Sequence, residues 1–370
     1  MAFNPSRLAL ARKRRGLSKA ELSRRSDLSL RTLGYYESGE VTPSNDAIQT
    51  LSDVLRFPTS FFVGTELAEI DVDSASFRSL SSMTASLRDS ALAAGTLAAE
   101  LNRWLGERFQ LPEPTIPTPD DTDPETIAGN LRADWGLEDR PIKNMLHLVE
   151  AHGGRFFSLP VDSARVDAFS VWHQGVPLIL LNPRKSGERG RMDIAHELGH
   201  LVMHRTYSVR ARSLELEADR FASAFLMPAS DVKKYASRNI TLHDVLRLKR
   251  RWKVSAIALV YRLHHLDLLS EWQYRSFCVS LSKLGYRRSE PGGIPRESSQ
   301  IIAKTFDVLR SEGVSRTEIA QAVGFSLAEL NSLLAGLTIA PAVPPNSRGM
   351  APPPASPTKT SLRLVPKKNE

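Results

Sequence analysis

Two histidines four residues apart enclose a glutamate in the run His196-Glu197-Leu198-Gly199-His200. On an α-helix, residues i and i+4 share one face a turn apart, so both imidazoles can seat one divalent cation, zinc by preference and manganese as a second choice. Glu197 then lies beside the open coordination position, where it can take a proton from an activated water and return it to a leaving amine. The implied chemistry is metal-assisted hydrolysis of a peptide bond. Met192, Ile194, Ala195, Leu198, Leu201, Val202 and Met203 make the surrounding helix largely apolar, as expected of a buried helix whose polar residues turn into a site. Two core histidines held only by hydrogen bonds are the alternative.

A catalytic zinc ion takes three protein ligands and keeps its fourth position open. Residues 213–227 read as a second amphipathic helix that ends before Pro228, with Leu214, Ala218, Phe221, Ala222 and Phe225 as its apolar stripe. Glu217 sits at the edge of that stripe and is the expected third ligand. Glu215 is expected to point elsewhere, and Asp219 to orient a zinc histidine. His204 is a rival ligand, but three donors along one straight helix do not easily surround a tetrahedral ion. The metzincin extension also fails, because Met203 and Thr206 stand where its glycine and third histidine belong. His204 therefore reads as a helix-end residue favoured by the macrodipole. Among Tyr261, Arg262, His264 and His265 in a later helix, Arg262 is the preferred additional donor for a developing oxyanion.

His196 to His200, followed by Glu217-Ala218-Asp219-Arg220-Phe221-Ala222 and Leu226-Met227-Pro228, resembles the ImmA/IrrE family of zinc metallopeptidases. The strand-like segments 169–172 and 177–182 before the motif, and residues 248–255 and 261–263 after it, extend the likeness. The resemblance implies His196, His200 and Glu217 as metal ligands, Glu197 as general base, and a zincin-like, gluzincin-type site. It also implies cleavage of a repressor-type protein that relieves silencing of stress or mobile-element genes.

The first sixty residues carry a signal for DNA. Arg7 to Arg15 reads as a basic helix ended by Gly16. Ser18-Lys19-Ala20-Glu21 has the form of a capping box opening a helix to about Arg25, and Ser29 caps a third helix from Leu30 to Glu37. This is a helix-turn-helix whose reading helix turns Leu33 and Tyr36 inward and Arg31, Thr32 and Tyr35 outward. With Lys19, these outward residues are the expected DNA contacts. The stretch resembles the XRE class of repressors related to phage lambda repressor, departing from it at Lys19 and at Gly34. Ten Lys/Arg against six Asp/Glu over residues 1–60 is a modest surplus with the right sign for phosphate, so a homodimer is expected to supply affinity.

The whole chain of 370 residues carries a formal charge of +8 and a single cysteine, Cys278, which excludes an intrachain disulfide and reads as a buried helix residue. No run of eighteen apolar residues and no signal-peptide pattern is present, so a cytoplasmic protein without membrane contact is expected. The expected class is α+β, mostly helical. Residues 1–66 form an all-α lambda-repressor-like domain. Residues 67–122 form a connector, with a helix pair from Ser76 to about Arg108 and a stiff Pro-rich linker at 111–119. Residues 123–269 form the peptidase, with strands near 154–159, 168–172 and 178–181. Residues 270–338 stay helical, with a second helix-turn-helix rhythm at 314–330 that serves either as a second DNA contact or as a helical cap. Residues 339–370 read as a disordered tail. Together these point to a regulator that binds double-stranded operator DNA and cleaves an XRE-type repressor, either itself or a partner. The competing reading is a DNA-binding regulator whose metal site is structural or ligand-sensing.

Overall fold

The computed structural model describes residues 2–71, 84–159, 168–205, 212–236, 239–286 and 290–338. At the start of the chain, Asn4, Ser18, Ser29 and Ser44 each accept a backbone N–H through their side chains. They thereby open α1 (Pro5–Arg14), α2 (Lys19–Ser26), α3 (Leu30–Ser38) and α4 (Asn45–Leu55). A 3-10 turn, Thr59–Val63, closes the unit with buried Phe61 and Phe62. Leu33 and Tyr36 are buried as the helix-turn-helix pattern requires. Only half of the expected capping box forms at α2. Ser18 Oγ accepts from the Glu21 N–H at 3.1 Å, while the Glu21 carboxylate pairs with Arg25.

Among the described residues the connector carries the helix α5 (Ala85–Arg108), and the start of the expected pair, from Ser76 to residue 83, lies outside the described residues. Its small apolar residues Ala91, Ala94, Leu97, Ala98 and Leu101 are fully buried. The Pro-rich stretch that follows is extended, yet it is packed down rather than spanning free space. The Thr115 N–H donates to the His152 carbonyl at 3.1 Å, Arg155 donates to the Pro112 carbonyl at 2.7 Å, and Ile116 is buried. Pro114 approaches Gly153 so closely that a Cβ there would lie 2.3 Å from its Cα. Gly153 also has φ +89, a conformation that favours glycine.

The central part runs α6 (Pro124–Asp134), α7 (Met145–Ala151), β1 (Arg155–Ser158), β2 (Ala168–His173), β3 (Val176–Leu181), α8 (Gly187–Met203), α9 (Arg212–Leu226), α10 (Ala229–Tyr235), α11 (Leu242–Trp252) and α12 (Ala256–His265). After it come α13 (Glu271–Lys283), α14 (Gln300–Ser311), α15 (Arg316–Ala322) and α16 (Leu327–Leu334). The class is α+β and mostly helical. The sheet has the order β1-β3-β2, with β1 parallel and β2 antiparallel to β3.

Side chains alternate across a strand, and here both faces are buried. Phe157, Phe169, Val171, Leu178 and Leu180 face a core shared with α1–α5 and α14–α16. Phe156, Ala168, Ile179 and Leu181 face a second core built with α6–α9, α11 and α12. The sheet is the wall between the helix-turn-helix part and the helices of the HExxH motif. It joins the two, because each buried strand packs on both.

The second helix-turn-helix rhythm is realised as α15 and α16, opened by a complete capping box between Ser315 and Glu318. The inner face of α16 is buried, and Glu329 accepts from Arg14 Nε at 2.6 Å and Arg15 Nη1 at 2.8 Å. Its exposed residues are Leu327, Ala328 and Asn331, none of them cationic. This helix packs on α1 and β1 as a cap. Cys278 lies half-buried on α13 rather than fully buried. The tail from 339 onward is outside the described residues.

Glu329 is 1% exposed and Arg14 5% exposed, so removing the carboxylate strands buried cations. Glu329→Ala is expected to lower unfolding free energy by about 3 kcal/mol in denaturant titration, whereas a loss below about 1 kcal/mol would match a solvated surface pair and contradict this reading. A second carboxylate, Glu150 of α7, is fully buried at the start of α14, where it accepts from Ser299 Oγ and from the Gln300 N–H at 2.9 Å. Burial pushes it up to about 7, against these hydrogen bonds and the nearby Arg155. The folded state therefore holds a proton that the unfolded chain releases above about 4.5, and this group's contribution to stability falls as pH rises from about 4.5 to about 7. Glu150→Gln should remove that part of the slope in melting temperature against pH; parallel curves for both proteins would refute it.

Candidate metal centre and nucleic-acid interface

The HExxH residues sit on α8, which Ser186 opens by accepting the Arg189 N–H at 3.4 Å. Its neighbour α9 crosses it at Gly199. A Cβ at that position would meet Phe221 Cδ1 at 3.0 Å and Ala218 Cα at 3.4 Å, so glycine lets the two backbones close up. This contact draws the carboxylates of α9 onto the histidines of α8.

His196 Nε2 and His200 Nε2 face each other at 3.1 Å, and the Glu215 carboxylate approaches them at 3.3 and 3.6 Å respectively. One donor atom from each of the three lies within 4.8 Å of the others. Ligands about 2.0–2.1 Å from a tetrahedral ion are separated by about 3.3 Å, so the separations match a first coordination sphere. Glu215 Oε2 is buried and faces His196 Nε2 at 3.3 Å, which fits a donor shaped for a cation. Burial raises the Glu215 carboxyl, but hydrogen bonds and charge from His196 and His200 outweigh it and hold it at about 2, fully ionised at neutral pH. Burial likewise pulls His196 down, while Asp219, Glu215 and Glu197 together hold it up at about 10. The site is rich in negative charge and suits a divalent ion.

Asp219 accepts from His196 Nδ1 at 2.8 Å, so the proton on Nε2 is the one that a bound cation would displace, leaving the lone pair there. Glu197 is 5% exposed and accepts from Ser170 Oγ of β2 at 2.6 Å, which fixes its carboxylate beside the histidines. Trp172 of the same strand donates to the Leu201 carbonyl at 3.0 Å, so β2 is stitched along α8. Neither Ser170 nor Trp172 stands out in the sequence as part of a site. The signal was the alternation of β2, which puts Ser170 on the face opposite Phe169 and Val171.

Two expected residues sit elsewhere. Glu217 does not join His196 and His200; its carboxylate accepts from His204 Nε2 at 3.1 Å. At about 100° per residue, Glu215 and Glu217 flank the apolar stripe of α9 from opposite sides, so periodicity alone cannot rank them, and the side pressed on α8 at Gly199 is that of Glu215. Arg262 also lies away from the histidines. It is fully buried, donating to the Met227 carbonyl at 2.8 Å and to both oxygens of Glu125, so it ties α12 to the end of α9 and the start of α6. His204 closes α8 as expected, and its Nδ1 lies 2.9 Å from His200 Nδ1. Burial and the neighbouring His200 hold its pKa below the ordinary imidazole range.

In the helix-turn-helix, α3 presents Arg31 exposed with Thr32 and Tyr35 half-exposed. Arg31 Nε donates to the Tyr35 hydroxyl at 2.7 Å, and Thr32 Oγ1 bonds Ser29 Oγ at 2.7 Å. Lys19 is 44% exposed but pairs with Glu37 at 3.2 Å.

Residues 8–62 match the helix-turn-helix family, and residues 149–264 match the family described as the IrrE N-terminal-like domain, a peptidase family. No curated protein matches the chain. No helix among the described residues is long and apolar enough to cross a membrane. The chain therefore joins an XRE-type helix-turn-helix DNA-binding domain to an IrrE/ImmA-like peptidase-family domain.

Proposed function

We propose that this protein is a DNA-binding regulator carrying a metal-dependent endopeptidase that cleaves a repressor-type protein, itself or a partner, to control gene expression. The observation that carries the reading is the convergence of His196 Nε2, His200 Nε2 and the Glu215 carboxylate beside Glu197. In it, His196, His200 and Glu215 hold a divalent cation, with zinc favoured by two nitrogen donors and one carboxylate oxygen and manganese as the second choice. When bound, that cation acidifies water and polarises a peptide carbonyl. A structural zinc site has no use for a buried base beside it, so Glu197 supports hydrolysis over a purely structural role.

The chain's own residues then have definite tasks. Glu197 accepts the proton of the attacking water and returns it to the departing amine nitrogen, with Ser170 holding the carboxylate in line. Asp219 keeps His196 in the tautomer that offers Nε2. Arg31, Thr32, Tyr35 and Lys19 serve as contacts to double-stranded operator DNA, phosphate for the cations and base edges for the others, with a homodimer supplying two half-sites. A cytoplasmic setting and a part in stress responses go with this reading.

Full-length protein loaded with zinc and dialysed should retain about one equivalent by elemental analysis, as expected of three good ligands. His196→Ala and Glu215→Ala should lose it and Glu217→Ala should retain most of it; retention by Glu215→Ala with loss by Glu217→Ala would restore the assignment made from periodicity. Glu197→Gln should keep the metal while cleavage of an XRE-type repressor, or of the chain itself, falls about 10²–10⁴-fold. Equal fragmentation by wild type and Glu197→Gln would exclude cleavage by this site.

A further inference from the structure

The three imidazoles on α8 form a row, and the third is not idle. His204 stands with its ring 5.0 Å from that of His200, its side chain 6% exposed, its Nδ1 2.9 Å from His200 Nδ1 and its Nε2 3.1 Å from Glu217 Oε2. An ionised carboxylate has no proton to give, so the Glu217 contact requires an N–H at His204 Nε2. A neutral His204 then offers a lone pair at Nδ1, and a 2.9 Å separation between two ring nitrogens requires one proton between them. With His204 neutral that proton lies on His200 Nδ1 and the lone pair of His200 on Nε2, where the same rule gives the 3.1 Å contact the Nε2 proton of His196, the one that a bound cation would displace.

We propose that His204 and Glu217 are positioning residues that act through His200, a carboxylate–imidazole relay that fixes its tautomer and ring orientation as Asp219 alone does for His196. The inference rests on the reading of His196, His200 and Glu215 as metal ligands. Glu217 is 38% exposed and meets His204 Nε2, while His204 Nδ1 meets His200 Nδ1, so the buried His204 ring stands between the carboxylate and the ligand histidine. The two ligand histidines are thus oriented from the two flanks of α9, directly from Asp219 and through an intermediary from Glu217.

The test uses the full chain with zinc as the probe. Competition against a chromophoric chelator gives the affinity, nitrogen-15 NMR of the imidazoles in metal-free protein gives the tautomers, and thermal melting of metal-free protein reports the fold. His204→Phe should weaken zinc binding about 10–100-fold, the usual effect of losing a partner behind a ligand, with metal-free melting unchanged. In the same variant the His200 Nδ1–H signal should give way to a mixture of tautomers. His204→Gln, whose amide carries an acceptor and a donor about as far apart as the two ring nitrogens, should recover most of the affinity. Should His204→Phe fail to fold, Glu217→Leu gives the same readout, a weaker zinc affinity with a shifted His204 tautomer. Wild-type affinity and an unchanged His200 tautomer in the folded His204→Phe or Glu217→Leu protein would overturn the relay. Wild-type protein that binds no zinc would overturn the ligand reading beneath it.

Discussion

The crossing of α8 over α9 at Gly199 is the contact on which the site depends. Without a side chain at that position, Phe221 and Ala218 reach the backbone of the HExxH helix, and every polar group of α9 that matters arrives with them: Glu215 against two imidazoles, Asp219 behind the first, Glu217 behind the third. A methyl group at Gly199 would push against Phe221 at 3.0 Å and tilt that whole set. Apolar packing around Phe221, Phe225 and Ala222 supplies the energy, because burial of these side chains offsets the cost of gathering carboxylates in a half-dry cleft.

The sheet makes a second constraint. Its faces belong to different cores, so a disturbance of β2 is felt both at Ser170, which holds Glu197, and at Phe169 and Val171, which pack with the connector and the helix-turn-helix. Arg14 and Arg15 on α1 meet Glu329 on the C-terminal cap, and the cap in turn rests on β1. The DNA-reading helices and the HExxH helix are thereby parts of one packed body, with buried strands and an ion-pair cluster between them, rather than beads on a linker.

Much of this was legible in the residues. Ser18 and Ser29 each open a helix within a residue of where their neighbours place it, because a cap is a local hydrogen bond. The HExxH spacing was equally local, and His196, His200 and Glu197 stand together as i, i+1, i+4 geometry requires. What was not legible depends on packing between elements. Glu215 and Glu217 are equivalent on an isolated helix and are distinguished only by which flank meets α8. Arg262, expected as a donor to a developing oxyanion, is a buried tie between helices, bonded to Glu125 137 positions away. The prolines at 112–119 do extend the chain, but the pressing of Pro114 onto Gly153 is a tertiary contact that composition does not show.

Crystals of the full chain soaked in zinc, with anomalous data collected on both sides of the zinc absorption edge, test the central claim most directly. One strong anomalous peak is expected, bonded to Nε2 of His196, Nε2 of His200 and the carboxylate of Glu215 at about 2.0–2.2 Å, with the fourth position facing Glu197. A peak ligated by Glu217 or by His204 Nε2, or no peak between the two helices in zinc-saturated crystals, would contradict it.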